Sequence, residues 1–210
     1  MVSAPVAARM TGRVVRLDPV GPSDAAELFA ALDDERVWAA GYGGGPAGRP
    51  RDAEGMAAIV AAALAARDRG ERQAYVVRLL DDWLSAPADT VVGTSSLGDW
   101  DLTNERVHLG WTAYGPQWWA TAVNAECKLL LLGHAFDGCG FGRVKLQTDA
   151  LNARSQAAIA RLGAKREGVL RRHMRRADGT FRDTVVFSVL RDEWPDVRAG
   201  LLARLRQPRD

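Results

Sequence analysis

Cysteine is nearly absent: Cys127 and Cys139 are the only two in 210 residues. A disulfide framework is therefore excluded as the source of stability, and the scarcity suits a reducing, cytoplasmic address. Neither cysteine has the neighbours of a zinc site, so no metal is expected. No apolar run approaches the roughly 18–20 residues needed to cross a bilayer, so no membrane partner is expected. The start, MVSAPVAARMTG, lacks a basic segment followed by an apolar one, which argues against a signal peptide. Repeats, low-complexity segments and interdomain linkers are also missing, so residues 1–210 are read as a single domain. Hydrophobic residues at 47% and charged residues at 26% are ordinary globular values, which argues against disorder.

Net charge is small, +2, but it is unevenly spread. Residues 143–210 carry 16 Lys/Arg against 8 Asp/Glu, leaving +8 there and −6 in the rest. Such a surface is either simply solvated or attracts an anion, a phosphate-bearing cofactor or nucleic acid. Basic and aromatic residues do not interleave, so nucleic acid is not the expected partner.

The pattern alternates between strand-like and helical segments. TGRVVRL (11–17) reads as a first strand, followed by a helix over PSDAAELFAALDD with Ser23 as its N-cap. GYGGGPAGRPR (41–51) reads as a disordered connector or a substrate lid. Residues 52–68 are alanine-rich and helical. QAYVVRLL (73–80), TVVGTSSLG (90–98) and RVHLGWTA (106–113) follow as strands. AVNAECKLLLLGHAF (122–136) places Val123, Cys127, Leu130, Leu131 and Ala135 at helical spacing. RVKLQTD (143–149) is strand-like, and Asn152 opens a further helix that Gly163 closes. A hairpin turning through residues 177–179 and a helix over 191–206 complete an α+β layered domain.

Strand, Gly-Pro turn, Gln117-Trp118-Trp119-Ala120-Thr121-Ala122, helix, strand and Asn-x-x-Ser helix start occur in the order of a coenzyme A site. In this order the chain resembles the GNAT acyltransferases, in their RimJ/RimL-like branch, over about residues 11–190. The resemblance implies a mixed, mostly antiparallel V-shaped sheet flanked by helices, with coenzyme A entering where two parallel strands splay. It also implies acetyl-CoA, or another acyl-CoA such as succinyl-CoA, as co-substrate. The partner would be a small-molecule or peptide amine; a homodimer is left open. A catalytically weak CoA-binding regulatory module is the rival reading, because the family's Gln/Arg-x-x-Gly-x-Gly/Ala loop here has Ala120 for its first glycine. Alanine supplies the same amide but tolerates left-handed backbone poorly, so the substitution is harmless only if φ stays negative there. The amides of Trp119, Ala120, Thr121, Ala122 and Val123 would meet the pyrophosphate beside Gln117. Backbone groups of Thr112, Ala113 and Tyr114 would face the pantetheine arm.

Asn152 and Ser155 are explained by helix capping alone. The resemblance adds a cofactor contact for Asn152 and makes Ser155 a proton donor to the departing thiolate, with Arg154 near a cofactor phosphate. Many relatives carry a glutamate base where this chain has His108. Strand alternation puts His108, Gly110 and Thr112 on one face, and an imidazole of pKa about 6.5 can accept a proton at pH 7. A lysine-like amine of pKa about 10.4 is neutral about once in 2,500 molecules at pH 7, a cost of about 4.6 kcal/mol. An α-amine costs only about 1 kcal/mol and needs only a weak base. Trp38, Tyr42, Trp100 and Asp101 are expected to border the acceptor pocket, where an acid such as Asp99 or Asp101 could hold an ammonium group.

Overall fold

The structure is a computed structural model that describes residues 1–39 and 41–206; Ala40 and the last four residues of the expected 1–210 domain lie outside it. Eight strands form one sheet in the order β1-β2-β3-β4-β5-β6-β8-β7. β1 (Met10–Thr11) and β2 (Val15–Pro19) lead into α1 (Ala25–Leu32), α2 (Glu35–Ala39) and α3 (Ala53–Asp68). β3 (Arg72–Leu79), β4 (Val91–Asp101) and β5 (Arg106–Tyr114) form an antiparallel meander. Then come α4 (Ala122–Gly133), β6 (Arg143–Asp149), α5 (Ala153–Ala160), β7 (Lys165–Arg175), β8 (Phe181–Leu190) and α6 (Trp194–Leu205).

Every strand pair is antiparallel except β5 with β6, which is the mixed sheet anticipated from the motif order. Central strands β3 and β4 are buried on both sides because helices cover both faces of the sheet. One core layer joins Tyr75, Val77, Leu97, Leu109 and Tyr114 to Val123, Cys127 and Leu131 of α4 and to Trp194 and Leu201 of α6. The other joins Ala74, Val76, Val91 and Ala113 to Leu28, Leu32, Met56 and Val60 of α1 and α3. Glu126 ties α4 to the first hairpin by accepting the amides of Arg13, Val14 and Val15 at 2.8, 2.5 and 2.7 Å.

Two local expectations shift. Asp24, not Ser23, precedes α1, because residues 22–24 form a tight turn in which the Asp24 carboxylate accepts the Gly21 amide. Residues 41–51 are not a loose connector. They form two short 3₁₀ turns and dock on the β7–β8 turn, where the Ala177 amide donates to the Gly44 carbonyl at 3.0 Å.

Candidate active site

The parallel ladder between β5 and β6 holds for only three pairs, Arg106–Arg143, Val107–Val144 and His108–Lys145. Beyond His108 the strands part, each running on to a helix start: β5 to α4, β6 to α5. The β6-facing edge of β5 past His108 therefore presents unpaired peptide groups to the gap, and both helices aim N-terminal amides at the same region. Such an opening suits an extended chain ending in phosphate.

The turn into α4 is tightly built. Pro116–Trp118 is a 3₁₀ turn whose Pro116 carbonyl takes the Trp119 amide at 3.1 Å. Ala120 adopts φ +62°, the left-handed region, so the alanine in the family's glycine position is strained. Thr121 caps α4: its hydroxyl accepts the Val123 amide at 3.3 Å and donates to the Trp118 carbonyl at 2.7 Å. Of the five amides anticipated for phosphate, those of Trp119 and Val123 are thus already engaged, while Ala120, Thr121 and Ala122 precede the first intrahelical bonds. The exposed Gln117 side chain folds back toward Gly115. The Trp119 indole N–H donates to the Tyr114 carbonyl at 2.9 Å, and the Arg154 guanidinium lies 3.2 Å from the centre of its ring. Arg154 thereby links the α5 start to the turn after β5. Asn152 Oδ1 accepts the Ser155 amide at 2.9 Å, the capping role read from the sequence.

The middle of β5 departs from simple alternation. Leu109 belongs to the α4-side core and so does Tyr114, although they are five residues apart; Ala113 packs with the α1–α3 layer. A bulge opposite Ser95 absorbs the change of parity, with Trp111 at φ +50°. Thr112 consequently faces α4, not the face that carries His108 and Gly110. Its hydroxyl lies 2.7 Å from Ser95 Oγ and accepts from Lys128 Nζ at 2.7 Å. Lys128 is 6% exposed, and burial pushes its pKa down to about 8.

His108, 4% exposed, lies on the opposite face. Its Nδ1 is 3.3 Å from Asp99 Oδ2, and that carboxylate also meets Lys145 Nζ at 3.8 Å. Nε2 is buried and has no hydrogen-bond partner among the described residues. It points along the strand to Gly110, where a Cβ would fall 2.5 Å away. Burial lowers the His108 pKa and outweighs the raising effect of Asp99; Lys145 and Lys128 add to the lowering. The stable form is a neutral imidazole donating Nδ1–H to Asp99 and presenting Nε2 as an acceptor.

The sequence matches the acetyltransferase (GNAT) domain family over residues 15–165. This chain belongs to that family. Among solved structures, a T. thermophilus protein assigned as an acetyltransferase shares 34% identity at TM-score 0.79, covering 94% of this chain and 96% of the other. A GCN5-related N-acetyltransferase from Brucella melitensis shares 26% identity at TM-score 0.84, covering 96% and 87%. At the level of fold, Mycobacterium smegmatis RimJ in complex with CoA-disulfide is also similar, at 19% identity, TM-score 0.75 and coverage of 94% of each chain. No curated protein matches the sequence.

As a GNAT acetyltransferase the chain is an acyl-CoA-dependent N-acyltransferase, and the remaining expected residues are distributed unevenly around its gap. Trp38 is a core residue, 1% exposed, with its indole N–H bonded to the Leu32 carbonyl at 2.9 Å. It does not border an open pocket, whereas Tyr42, edge-on to it at 5.0 Å, is partly exposed beside Arg72. Trp100 packs on the α4-side core, away from the His108 face. Asp101 is spent on its own turn, accepting from Asn104 and Arg106. Asp99, not Asp101, is the acid at the histidine. His134 lies 3.7 Å from Cys139 Sγ beyond α4, and His173 reaches Thr184 Oγ1 at 3.1 Å. The sequence reading missed Arg72 and Lys128. No helix is long and apolar enough to cross a membrane, and no metal-binding cluster occurs among the described residues.

Proposed function

We propose that this enzyme transfers acetyl from acetyl-CoA to a primary amine by direct attack in a ternary complex, with His108 as the base. The observation that carries the reading is the buried, neutral His108, fixed through Nδ1 by Asp99 with Nε2 unpartnered at the foot of the splayed gap. Coenzyme A suits the gap because unpaired β5 peptide groups can accept the pantetheine arm and the α4 start can accept pyrophosphate. Holding amine and thioester together supplies much of the acceleration. The amine nitrogen attacks the thioester carbonyl, an amide N–H at the bulge stabilises the oxyanion, and His108 Nε2 takes the amine proton, directly or through one water. The thiolate leaves, with the partly buried Ser155 hydroxyl as proton donor. Arg154 would turn from Trp119 to a phosphate.

One observation favours a weaker binder. The left-handed Ala120 strains the phosphate turn, the condition under which the sequence pointed to weaker phosphate binding than with glycine there. Calorimetry with coenzyme A tests the placement: saturable binding is expected, reduced at least tenfold in Ala122→Asp, where a carboxylate would oppose phosphate. Thiol release with acetyl-CoA and succinyl-CoA over a panel of amines tests the reaction. Preference for acetyl-CoA is expected; saturable binding without thiol release from any donor would leave the regulatory module.

A further inference from the structure

One cross-strand row passes through the catalytic histidine: Arg72 pairs with Gly98, Gly98 with His108, and His108 with Lys145. Paired residues project on the same face of a sheet, so Arg72 and His108 stand on one face two strands apart. The glycine between them leaves room for the Trp111 indole, which would lie 2.9 Å from any Cβ at position 98. The Arg72 Cζ is 4.6 Å from the centre of that ring and the His108 ring is 4.8 Å from it. Guanidinium and imidazole therefore both lie against the same indole, the imidazole tilted to it by 46°.

Arg72 is half-buried, donates through Nε to Ser96 Oγ at 2.9 Å, and forms no ion pair among the described residues. Neighbouring acids are already engaged: Asp99 by His108 and Lys145, Glu71 by Arg69. Beside the guanidinium, a crevice of about 20 Å³ runs between Tyr42, Thr94 and the α1–α3 layer. Among the described residues, the only carboxylate whose charge reaches Arg72 is Asp99, which it shares with Lys145 and does not contact as an ion pair, so a partly desolvated guanidinium is better met when a further anion arrives. With Nε committed to Ser96, the two Nη groups remain as the end-on fork that matches a carboxylate.

We infer that Arg72 holds a carboxylate of the acceptor, so that the acylated amine belongs to a small amino acid-like molecule. Its carboxylate stands within a few bonds of the nucleophilic nitrogen. This assignment rests on the reading of His108 as base, since it fixes where the nitrogen stands. The acceptor lies over Trp111 with its amine toward His108 Nε2 and its carboxylate toward Arg72. The N–C bond forms, the C–S bond breaks, the amine proton passes to Nε2, and the carboxylate is unchanged. An α-amine also suits a weak, buried imidazole, because its neutral form is within reach at pH 7. Polyamines, which bring further positive charge to Arg72 and Lys145, are disfavoured.

Binding can be read without turnover. In protein saturated with coenzyme A, the Arg72 Nε–H signal, identified by its loss in Arg72→Gln, is followed by NMR. N-acetylglycine should shift it saturably, and N-acetylglycinamide should bind at least tenfold more weakly. Equal effects of the two probes, or no effect of either, would overturn the inference. In the kinetic arm, α-amino acids are compared with their carboxamides using acetyl-CoA. The acids should be preferred at least tenfold, mainly through KM, and Arg72→Gln should abolish the preference with unchanged coenzyme A affinity. Equal losses for acid and amide would mean that Arg72 only supports Trp111. Acidic dipeptides preferred more than tenfold over every free amino acid would move the carboxylate to a peptide side chain and overturn the small-acceptor assignment. Loss of coenzyme A binding itself would instead count against the acyl-transfer reading.

Discussion

The two faces of β5 carry polar groups of similar burial that end in opposite situations. On the α4 face, Lys128 is closed in by Thr112 and Ser95, and its ammonium is spent holding the strand where it bulges. On the other face, His108 is held at one nitrogen only, and the second nitrogen has no partner among the described residues. The bulge at Trp111 separates the two sets. Without it Thr112 would share the face of His108 and Gly110 and would not meet Lys128.

The largest expected effect comes from filling the histidine's place. Gly110→Ala puts a methyl 2.5 Å from His108 Nε2, so the imidazole must move. A displacement of this kind lowers kcat/KM by about 100-fold, with coenzyme A affinity retained by calorimetry. On the other face, Lys128→Met removes a buried charge whose pKa is held at about 8. Because that pKa lies below the unfolded value, the unfolded chain binds the extra proton between pH 8 and about 10.4. The penalty is complete below pH 8 and fades as pH rises through that window. Urea unfolding at pH 7 should therefore show the variant more stable by about 2 kcal/mol, after allowing about 1 kcal/mol for the lost bond to Thr112. The difference should shrink between pH 8 and 10. The smallest effect is Ala120→Gly, which relieves a left-handed alanine but adds freedom to the unfolded chain. A net gain of about 0.5 kcal/mol is expected, with coenzyme A bound a few-fold more tightly in calorimetry.

What was legible in the sequence was local. Asn152 announces the α5 start because a cap acts within three residues, and the turn at 177–179 and the order of strands and helices follow from similarly short-range patterns. The family motif places the gap. Ala120 raised a question that only its backbone angle answers. The bulge was not legible: alternation predicts Thr112 beside His108, and nothing in the Gly-Trp-Thr triplet signals a positive φ at an aromatic residue. Loop position gave no sign that packing buries Trp38 or half-buries Trp100 against the core. Asp99 stood in plain view as an acid, but its pairing with His108 depends on the β4–β5 register. Arg72 gives no sign of being unpaired until every nearby carboxylate is seen to be occupied. Lys128, a lone lysine directly beside the core position Cys127, is the one missed residue with a sequence signal.

The base assignment is tested most directly by the pH dependence of kcat/KM in wild type and His108→Ala with a high-pKa amine. In wild type the imidazole limb of the profile should lie below pH 6.5, because burial lowers the imidazole pKa. His108→Ala should lose about 100-fold or more at pH 7 and recover part of it at alkaline pH, where the amine deprotonates unaided. An unchanged rate and an unchanged profile in His108→Ala would contradict the account and move the base elsewhere.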